Sequence, residues 1–131
     1  MHYTFKLVEA ALDDLEQLWD TNEAAAAELE EWLAAFEEDQ DLLETLSVHD
    51  YGAYQLKPYH VDRWEALYNR PSDRDVWRLR IWSGACASYR TIYGFQAPKQ
   101  RYWVLGFPHR DFDYSLTHPT TIRMVADYDS L

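Results

Sequence analysis

The chain has 131 residues, enough for one domain and too few for two cores of ordinary size. Hydrophobic residues make up 47% and aromatic residues 16%, which excludes a disordered chain, and 4 Gly with 5 Pro exclude fibrous and low-complexity classes. The formal net charge of −11 argues, taken as an average, against a polyanion as partner. We therefore expect a single acidic domain over residues 1–131.

Cysteine usage and hydropathy place the chain in the cytoplasm. A single cysteine, Cys86, excludes an internal disulfide, which fits a reducing compartment. No apolar run approaches the roughly 18 residues of a membrane helix, and the first residues lack the basic and then apolar pattern of a signal peptide. Neither a CxxC pair nor an HExxH motif occurs. We expect a cytoplasmic protein that has no cofactor and no membrane partner.

The charge is divided unevenly along the chain. Residues 1–50 hold 15 acidic residues and one basic residue, whereas residues 51–131 hold 8 acidic and 11 basic residues. Between Val76 and Arg110 there is no acidic residue, so the sequence predicts a locally basic surface on an acidic protein. The six basic residues of this stretch are Arg78, Arg80, Arg90, Lys99, Arg101 and Arg110.

The acidic half predicts a strand and two helices. Apolar and polar residues alternate over residues 2–7, as in a half-buried strand. From Ala10 to Trp19 the apolar residues fall on one helical face, and a second stripe predicts a helix from about Glu23 to Leu46. We expect an antiparallel helical hairpin. The second stripe consists of Leu29, Trp32, Leu33, Phe36, Leu43 and Leu46.

The many acidic residues of this hairpin allow three interpretations. They are explained adequately as a solvated face that keeps the protein soluble. They could instead lie beside the basic surface and screen it, or reflect a cell interior with high salt. The sequence leaves these alternatives open.

The basic half predicts an antiparallel meander of three strands, Val76–Trp82, Tyr89–Phe95 and Arg101–Phe107, joined by turn-forming residues. In the first strand the alternation puts Arg78 and Arg80 on the face opposite to its apolar residues. One face of this sheet should therefore belong to the core and the other should carry charge.

The remaining segments complete an α+β fold. Residues 51–75 give the weakest pattern, with a short helical turn predicted at Asp62–Tyr68. Thr117-His118-Pro119 is typical of the start of a short final helix. The predicted architecture is an N-terminal strand and a helical hairpin packed on an antiparallel meander sheet, with a short C-terminal helix.

Three stretches together resemble the RelE/ParE superfamily, the toxins of bacterial toxin–antitoxin pairs. Trp77–Ile81 has the aromatic-basic-apolar-basic character of one strand in that superfamily, and Ser88–Tyr93 is similar to its YR-apolar-apolar-Y strand. Val104–Tyr114 resembles its last strand, which ends in a basic residue followed by a tyrosine. The resemblance implies a single RelE-like toxin domain over residues 1–131.

The resemblance implies a function and a set of residues. In the RelE branch, the toxin enters the ribosomal decoding site and cleaves mRNA, and a cognate antitoxin silences it by covering the sheet. Arg78 and Arg80 take the place of the family's paired basic residues, and Arg90 that of the arginine in the YR motif. Arg110 matches the basic residue after the last strand, and Tyr114 matches the terminal tyrosine.

The chemistry of RNA cleavage sorts these residues by role. Attack by the 2′-hydroxyl needs a proton acceptor, cations that stabilise the phosphorane-like transition state and a proton donor for the leaving 5′-oxygen. Arginine suits the second task, His109 could serve as acid or base, and Tyr114 could be a base only if nearby arginines lowered its pKa. The predicted catalytic residues are Arg90, Arg110, Tyr114 and His109, and the predicted RNA-binding residues are Arg78, Arg80, Lys99 and Arg101.

Two other functions stay open, and most of these residues also have simpler interpretations. The chain could be a non-enzymatic inhibitor of DNA gyrase, as in the ParE branch, or a degenerate family member that only binds a partner. The strand arginines could simply face solvent, Arg90 could pair with an acidic residue of the second helix, and Tyr114 could belong to the core. His49 and His60 are interpreted as ordinary loop residues.

Overall fold

Five strands form one mixed sheet in the computed structural model, which describes residues 2–131. The strands are β1 (Thr4–Leu7), β2 (Tyr59–Arg63), β3 (Val76–Ile81), β4 (Arg90–Gln96) and β5 (Arg101–Gly106). The order across the sheet is β1-β5-β4-β3-β2, in which β1 runs parallel to β5 and all other neighbours are antiparallel. The predicted α+β class and the predicted meander are thus confirmed.

Two helices form the expected N-terminal hairpin, but the second helix ends earlier than the apolar stripe predicts. Helix α1 (Glu9–Thr21) meets α2 (Glu23–Glu38) at Asn22. The predicted continuation to Leu46 is wrong, because Asp39 adopts an extended backbone and its carboxylate accepts hydrogen bonds from two following N–H groups. A separate helix, α3 (Gln40–Thr45), begins there.

The segment with the weakest pattern contributes an edge strand. In β2, Tyr59 and Val61 are buried and alternate with His60 and Asp62. The helical turn predicted at Asp62–Tyr68 is wrong in its first residues, since helix α4 covers only Glu65–Tyr68. The last helix, α5 (Pro119–Asp129), begins as predicted, with the His118 side chain accepting a hydrogen bond from the N–H of Thr120.

Different helices cover the two faces of the sheet. The hairpin is buried in one cluster with the β3 residues that the alternation predicts for the core. The cluster includes Leu29, Leu33 and Phe36 of the hairpin and Trp77, Leu79 and Ile81 of β3. On the opposite face, α4 and α5 cover a smaller cluster that includes Val76 and Met124. Arg78 and Arg80 follow Val76 on this second face by the two-residue alternation of the strand. Side chains of the helical hairpin therefore do not reach them.

A carboxylate on α2 fixes the turn that leads into β4. Glu28 accepts hydrogen bonds from the backbone N–H groups of Ala85 and Cys86 at 3.1 and 3.3 Å. Gly84 is required beside it, because its φ is +93° and a Cβ atom there would lie 2.3 Å from the Glu28 carboxylate. The two hydrogen bonds hold the pKa of Glu28 below its ordinary value of 4.5.

We expect Glu28→Gln to lower the melting temperature more at neutral pH than in acid. Because the folded pKa lies below 4.5, the stabilisation by the Glu28 carboxylate is complete above that pH and is lost as the pH falls through the folded value. Thermal unfolding of both proteins at about pH 7 and about pH 3 measures the effect. Glu31→Gln, at an exposed acid of the same helix, is the control. An equal difference in Tm at both pH values would contradict the expectation.

Candidate functional site

The uncovered part of the second face holds a small basic cavity of about 250 Å³, called here the arginine cavity. The register of three strands assembles it, since His60 of β2 lies opposite Arg80 of β3, which in turn lies opposite Arg90 of β4. Its lining residues are His60, Asp62, Arg78, Arg80, Arg90, Arg110 and Tyr114. The arrangement brings together five of the eight site residues that the sequence predicts.

The chain after β5 supplies the last two residues of the cavity. It runs beside the start of β4, where the N–H of Arg110 donates to the carbonyl of Ser88 at 2.7 Å and the N–H of Arg90 donates to the carbonyl of Pro108 at 2.8 Å. This pairing places Arg110 beside Arg90. Tyr114 then packs edge-on against Trp64, with 5.0 Å between ring centroids.

The charges in the cavity are only partly compensated. Arg78 is held by Asp62 of β2 through two hydrogen bonds of 3.1 and 2.5 Å. Arg80, Arg90 and Arg110 form no ion pair with any carboxylate of residues 2–131. The guanidinium of Arg90 donates instead to the backbone carbonyls that precede it. Three cations that line one small cavity provide a binding site for an anion with several oxygens, such as a phosphate.

Burial and like charges both act on Arg90. Burial is the larger cause that lowers its pKa, and the neighbouring Arg80, Arg110 and Arg78 lower it further. An arginine keeps its charge in a protein even so. A bound anion would offset the repulsion between these like charges.

The hydroxyl of Tyr114 is kept protonated. Burial raises the pKa of Tyr114 above its ordinary value of 10.0, and the nearby Arg78 and Arg90 offset this only in part. The Arg78 guanidinium carbon lies 4.8 Å from the centre of the tyrosine ring. A tyrosine that acts as a general base needs a lowered pKa, whereas the pKa of Tyr114 is raised. Tyr114 is therefore suited to donate a proton or a hydrogen bond.

His109 lies outside the arginine cavity. His109 pairs with Tyr89 in an isolated β-bridge and directly precedes Arg110 in the chain. Because side chains alternate along extended backbone, His109 points to the opposite side from Arg110. There it lines a different cavity of about 450 Å³ together with Asp14 and Arg123. Its Nδ1 accepts a hydrogen bond from the N–H of Asp111 at 3.2 Å. The structure therefore does not bring His109 to the four arginines of the arginine cavity.

Lys99 and Arg101 also lie apart from the cavity. Arg101 is paired with Gln96, at the end of β4 opposite to Arg90. Arg90 and Gln96 are six residue steps apart along β4, which corresponds to about 20 Å. Lys99 lines a shallow cavity beside Tyr128 at that same end. These two residues are not in a position to hold the same phosphate as Arg90.

The sequence does not predict two residues of the cavity, His60 and Asp62, and the interpretation of His60 as a loop residue is wrong because it lies in β2. The Nε2 atom of His60 lies 3.3 Å from Oδ1 of Asp50, and its ring is stacked on Trp82, with 5.7 Å between ring centroids. When Nε2 donates to Asp50, Nδ1 is left as a proton acceptor. The alternation of β2 was the signal that could have found both residues.

In residues 2–131, the part of the chain that the structure describes, no three His, Cys, Asp or Glu side chains are grouped so that they could hold a metal ion. None of its helices combines the length and the apolar character needed to cross a membrane. Comparison of the chain with protein-family models, curated proteins and solved structures finds none that it matches.

Proposed function

We propose that the protein is the toxin of a toxin–antitoxin pair, a metal-independent endoribonuclease that cleaves mRNA in the ribosomal decoding site. The observation that carries the proposal is the convergence of Arg80, Arg90 and Arg110 in one cavity that also holds Tyr114, with none of the three paired with a carboxylate of residues 2–131. The RelE-like order of motifs and the α+β fold agree with it.

The residues of the cavity account for each step of the reaction. The 2′-oxygen of the message attacks the adjacent phosphorus while its proton passes to His60. The arginines stabilise the charge on the phosphate oxygens as the bond to the 5′-oxygen breaks. Tyr114 donates a proton to that leaving oxygen. The products are a 2′,3′-cyclic phosphate and a 5′-hydroxyl, and exchange with water then removes the proton from His60 and restores the one on Tyr114.

Dependence on the ribosome follows from the weakness of these acid–base groups. Tyr114 as a proton donor and His60 as a proton acceptor give little rate enhancement unless the reacting atoms of the RNA are aligned with them. The ribosome supplies this alignment by holding the codon in a fixed conformation. The protein would then act in the cytoplasm, where messages are translated.

An antitoxin is the second proposed partner. The unpaired arginines favour an acidic protein segment when no message is bound, because such a segment relieves the same repulsion that a phosphate does. Purification from the native host should therefore yield a complex. Recovery of the free chain from cells whose growth is unaffected by its overexpression would count strongly against this partner.

One observation favours the gyrase-inhibitor alternative. His109 lies outside the cavity, so a single histidine, His60, is left there to accept a proton. If His60 has no role in catalysis, the cavity is a binding surface without a base. The effect of replacing His60 on RNA cleavage therefore distinguishes the nuclease from the gyrase inhibitor.

We expect His60→Gln to reduce cleavage by about 10²-fold or more, the usual contribution of a general base, and His109→Gln to leave it nearly unchanged. Both substitutions remove one imidazole, so the second controls for the first. Rates on ribosome-bound message give the comparison. Equal losses in both variants, or a loss only in His109→Gln, would contradict the assignment of the base.

The proposed function is tested by primer extension on messages from a translating extract to which the purified protein is added. New 5′ ends should appear within translated codons, and isolated RNA should stay intact. A gyrase supercoiling assay runs in parallel. Growth arrest and gyrase inhibition without new RNA ends would replace the nuclease with the gyrase-type inhibitor.

A further inference from the structure

A second, larger cavity adjoins the arginine cavity. It has a volume of about 650 Å³ and shares two lining residues, His60 and Arg80, with the arginine cavity. The two spaces are therefore continuous along one surface. The other residues around the larger cavity are Asp50, Ala53, Tyr54, Gln55 and Trp82.

Three rings line this second cavity, those of Tyr54, His60 and Trp82. The indole of Trp82 is fixed by a hydrogen bond from its N–H to the carbonyl of Gly52 at 3.2 Å and by the stacked ring of His60. The guanidinium carbon of Arg80 lies 4.6 Å from the centre of the Trp82 ring. These three side chains form a rigid wall that has an aromatic and a cationic component.

Tyr54 stands out on the rim of the cavity. It is 91% exposed, so almost none of its ring is buried by the fold. Its backbone has φ of +59°, a left-handed conformation that side-chain-bearing residues rarely adopt. An exposed aromatic ring held on a strained turn beside a cationic site is a poor contribution to stability. It is well placed to contact a ligand.

We propose that Tyr54 stacks on the base of a nucleotide next to the cleaved phosphate, which makes the second cavity a base-binding subsite for single-stranded RNA. This inference rests on the proposed function and adds the way in which the message is held. Every base has a flat π-face, and an exposed aromatic ring binds it with little regard to sequence. Arg80, which lines both cavities, connects this subsite to the proposed phosphate-binding site in the arginine cavity.

The acceptors around the subsite fit a base better than an acidic peptide. Asp50 and Gln55 line it, and a carboxylate or amide oxygen accepts hydrogen bonds from the amino and imino groups of a base edge. The negative charge of Asp50 disfavours an acidic segment at this place. The stacked base and its phosphate would thus use the aromatic and the cationic parts of one continuous surface.

The test combines Tyr54→Ala with messages that lack one base. Ribosomes are programmed with messages that carry an abasic nucleotide at successive positions on either side of the cut, and kcat/KM for cleavage is measured. We expect Tyr54→Ala to lower kcat/KM by about 5- to 150-fold on the unmodified message, the range of one base–aromatic stack. At one abasic position the wild type should lose the same factor, and Tyr54→Ala should then add no further loss.

Two further variants control this experiment. Tyr54→Phe keeps the ring and should retain the rate, whereas Leu56→Ala, at a neighbouring residue that is 77% exposed, should have no effect. The melting temperature of each variant shows that the fold is kept.

Each outcome decides between the two proposals. If wild type cleaves and Tyr54→Ala cleaves equally well, the subsite is refuted and the nuclease stands. The subsite is also refuted if the loss in Tyr54→Ala is the same on every abasic message, which would point to a contact with the ribosome. If wild type cuts no message, the proposed function fails and the subsite fails with it.

Discussion

Arg90→Ala is expected to abolish detectable cleavage of ribosome-bound message while the protein stays folded. Arg90 lies at the centre of the arginine cavity, between Arg80 on β3 and the chain segment that carries Arg110. Removing one preorganised donor from a developing negative charge typically costs about 10²- to 10³-fold in rate. The loss should be larger here if the remaining arginines then hold the phosphate in a different position.

The fold should tolerate this change. Within residues 2–131 the Arg90 side chain donates only to the backbone carbonyls of Ala87 and Tyr89, and its burial beside three other arginines is unfavourable. Lys6→Ala is the matched control, since it removes one exposed basic residue from β1 at the far edge of the sheet. Primer extension measures cleavage, and thermal unfolding measures stability. Identical cleavage patterns for wild type and Arg90→Ala would remove the arginine cavity from the reaction.

Tyr114→Phe is expected to lower the cleavage rate by about 10²-fold or more, as for the loss of a general acid. The substitution keeps the ring that packs against Trp64 and lies under the Arg78 guanidinium. Only the hydroxyl is lost, so a change in rate reports on the proton or hydrogen bond that it donates. A rate within about twofold of wild type would exclude Tyr114 as the donor to the leaving oxygen.

The pH dependence of the rate gives a second measure of the same residue. Because burial raises the pKa of Tyr114 above 10.0, its hydroxyl carries a proton throughout the neutral range. Ionisation of Tyr114 should therefore not reduce the rate until the pH exceeds 10. A decline that begins near neutral pH and disappears in Tyr114→Phe would mean that the tyrosine ionises there, which contradicts its role as donor.

Hydrophobic periodicity predicted the strands and helices that bury one face. It failed where a side-chain cap ends a helix and where pairing with a distant strand forms a sheet edge. The alternation of Val76–Ile81 and the stripe of α2 follow from burial on one face, so both were predictable. The break at Asp39 was not, because the apolar stripe keeps its phase across it while a side-chain cap ends the helix. Strand β2 was missed because its single alternating run lies between turn-forming segments.

The site divides in the same way. The motif order predicted Arg78, Arg80, Arg90, Arg110 and Tyr114, and the structure places all five around one cavity. The alternation of β2 could have put His60 and Asp62 on one face, but only the pairing of β2 with β3 places them opposite Arg80 and Arg78. His109 follows the two-residue alternation to the wrong side, and charge alone could not show that Lys99 and Arg101 occupy the far end of the meander.

The proposed attack by the 2′-hydroxyl of the message is tested most directly by removing that hydroxyl. A message is first cleaved on programmed ribosomes to locate the cut, and the same message is then made with a single 2′-deoxynucleotide on the 5′ side of that bond. Cleavage at this bond should disappear, while unmodified message is cut to give a 2′,3′-cyclic phosphate. Cleavage of the deoxy message at the same bond, or no cleavage of the unmodified message by the wild-type protein, would contradict the assignment of this chain as a ribosome-dependent endoribonuclease.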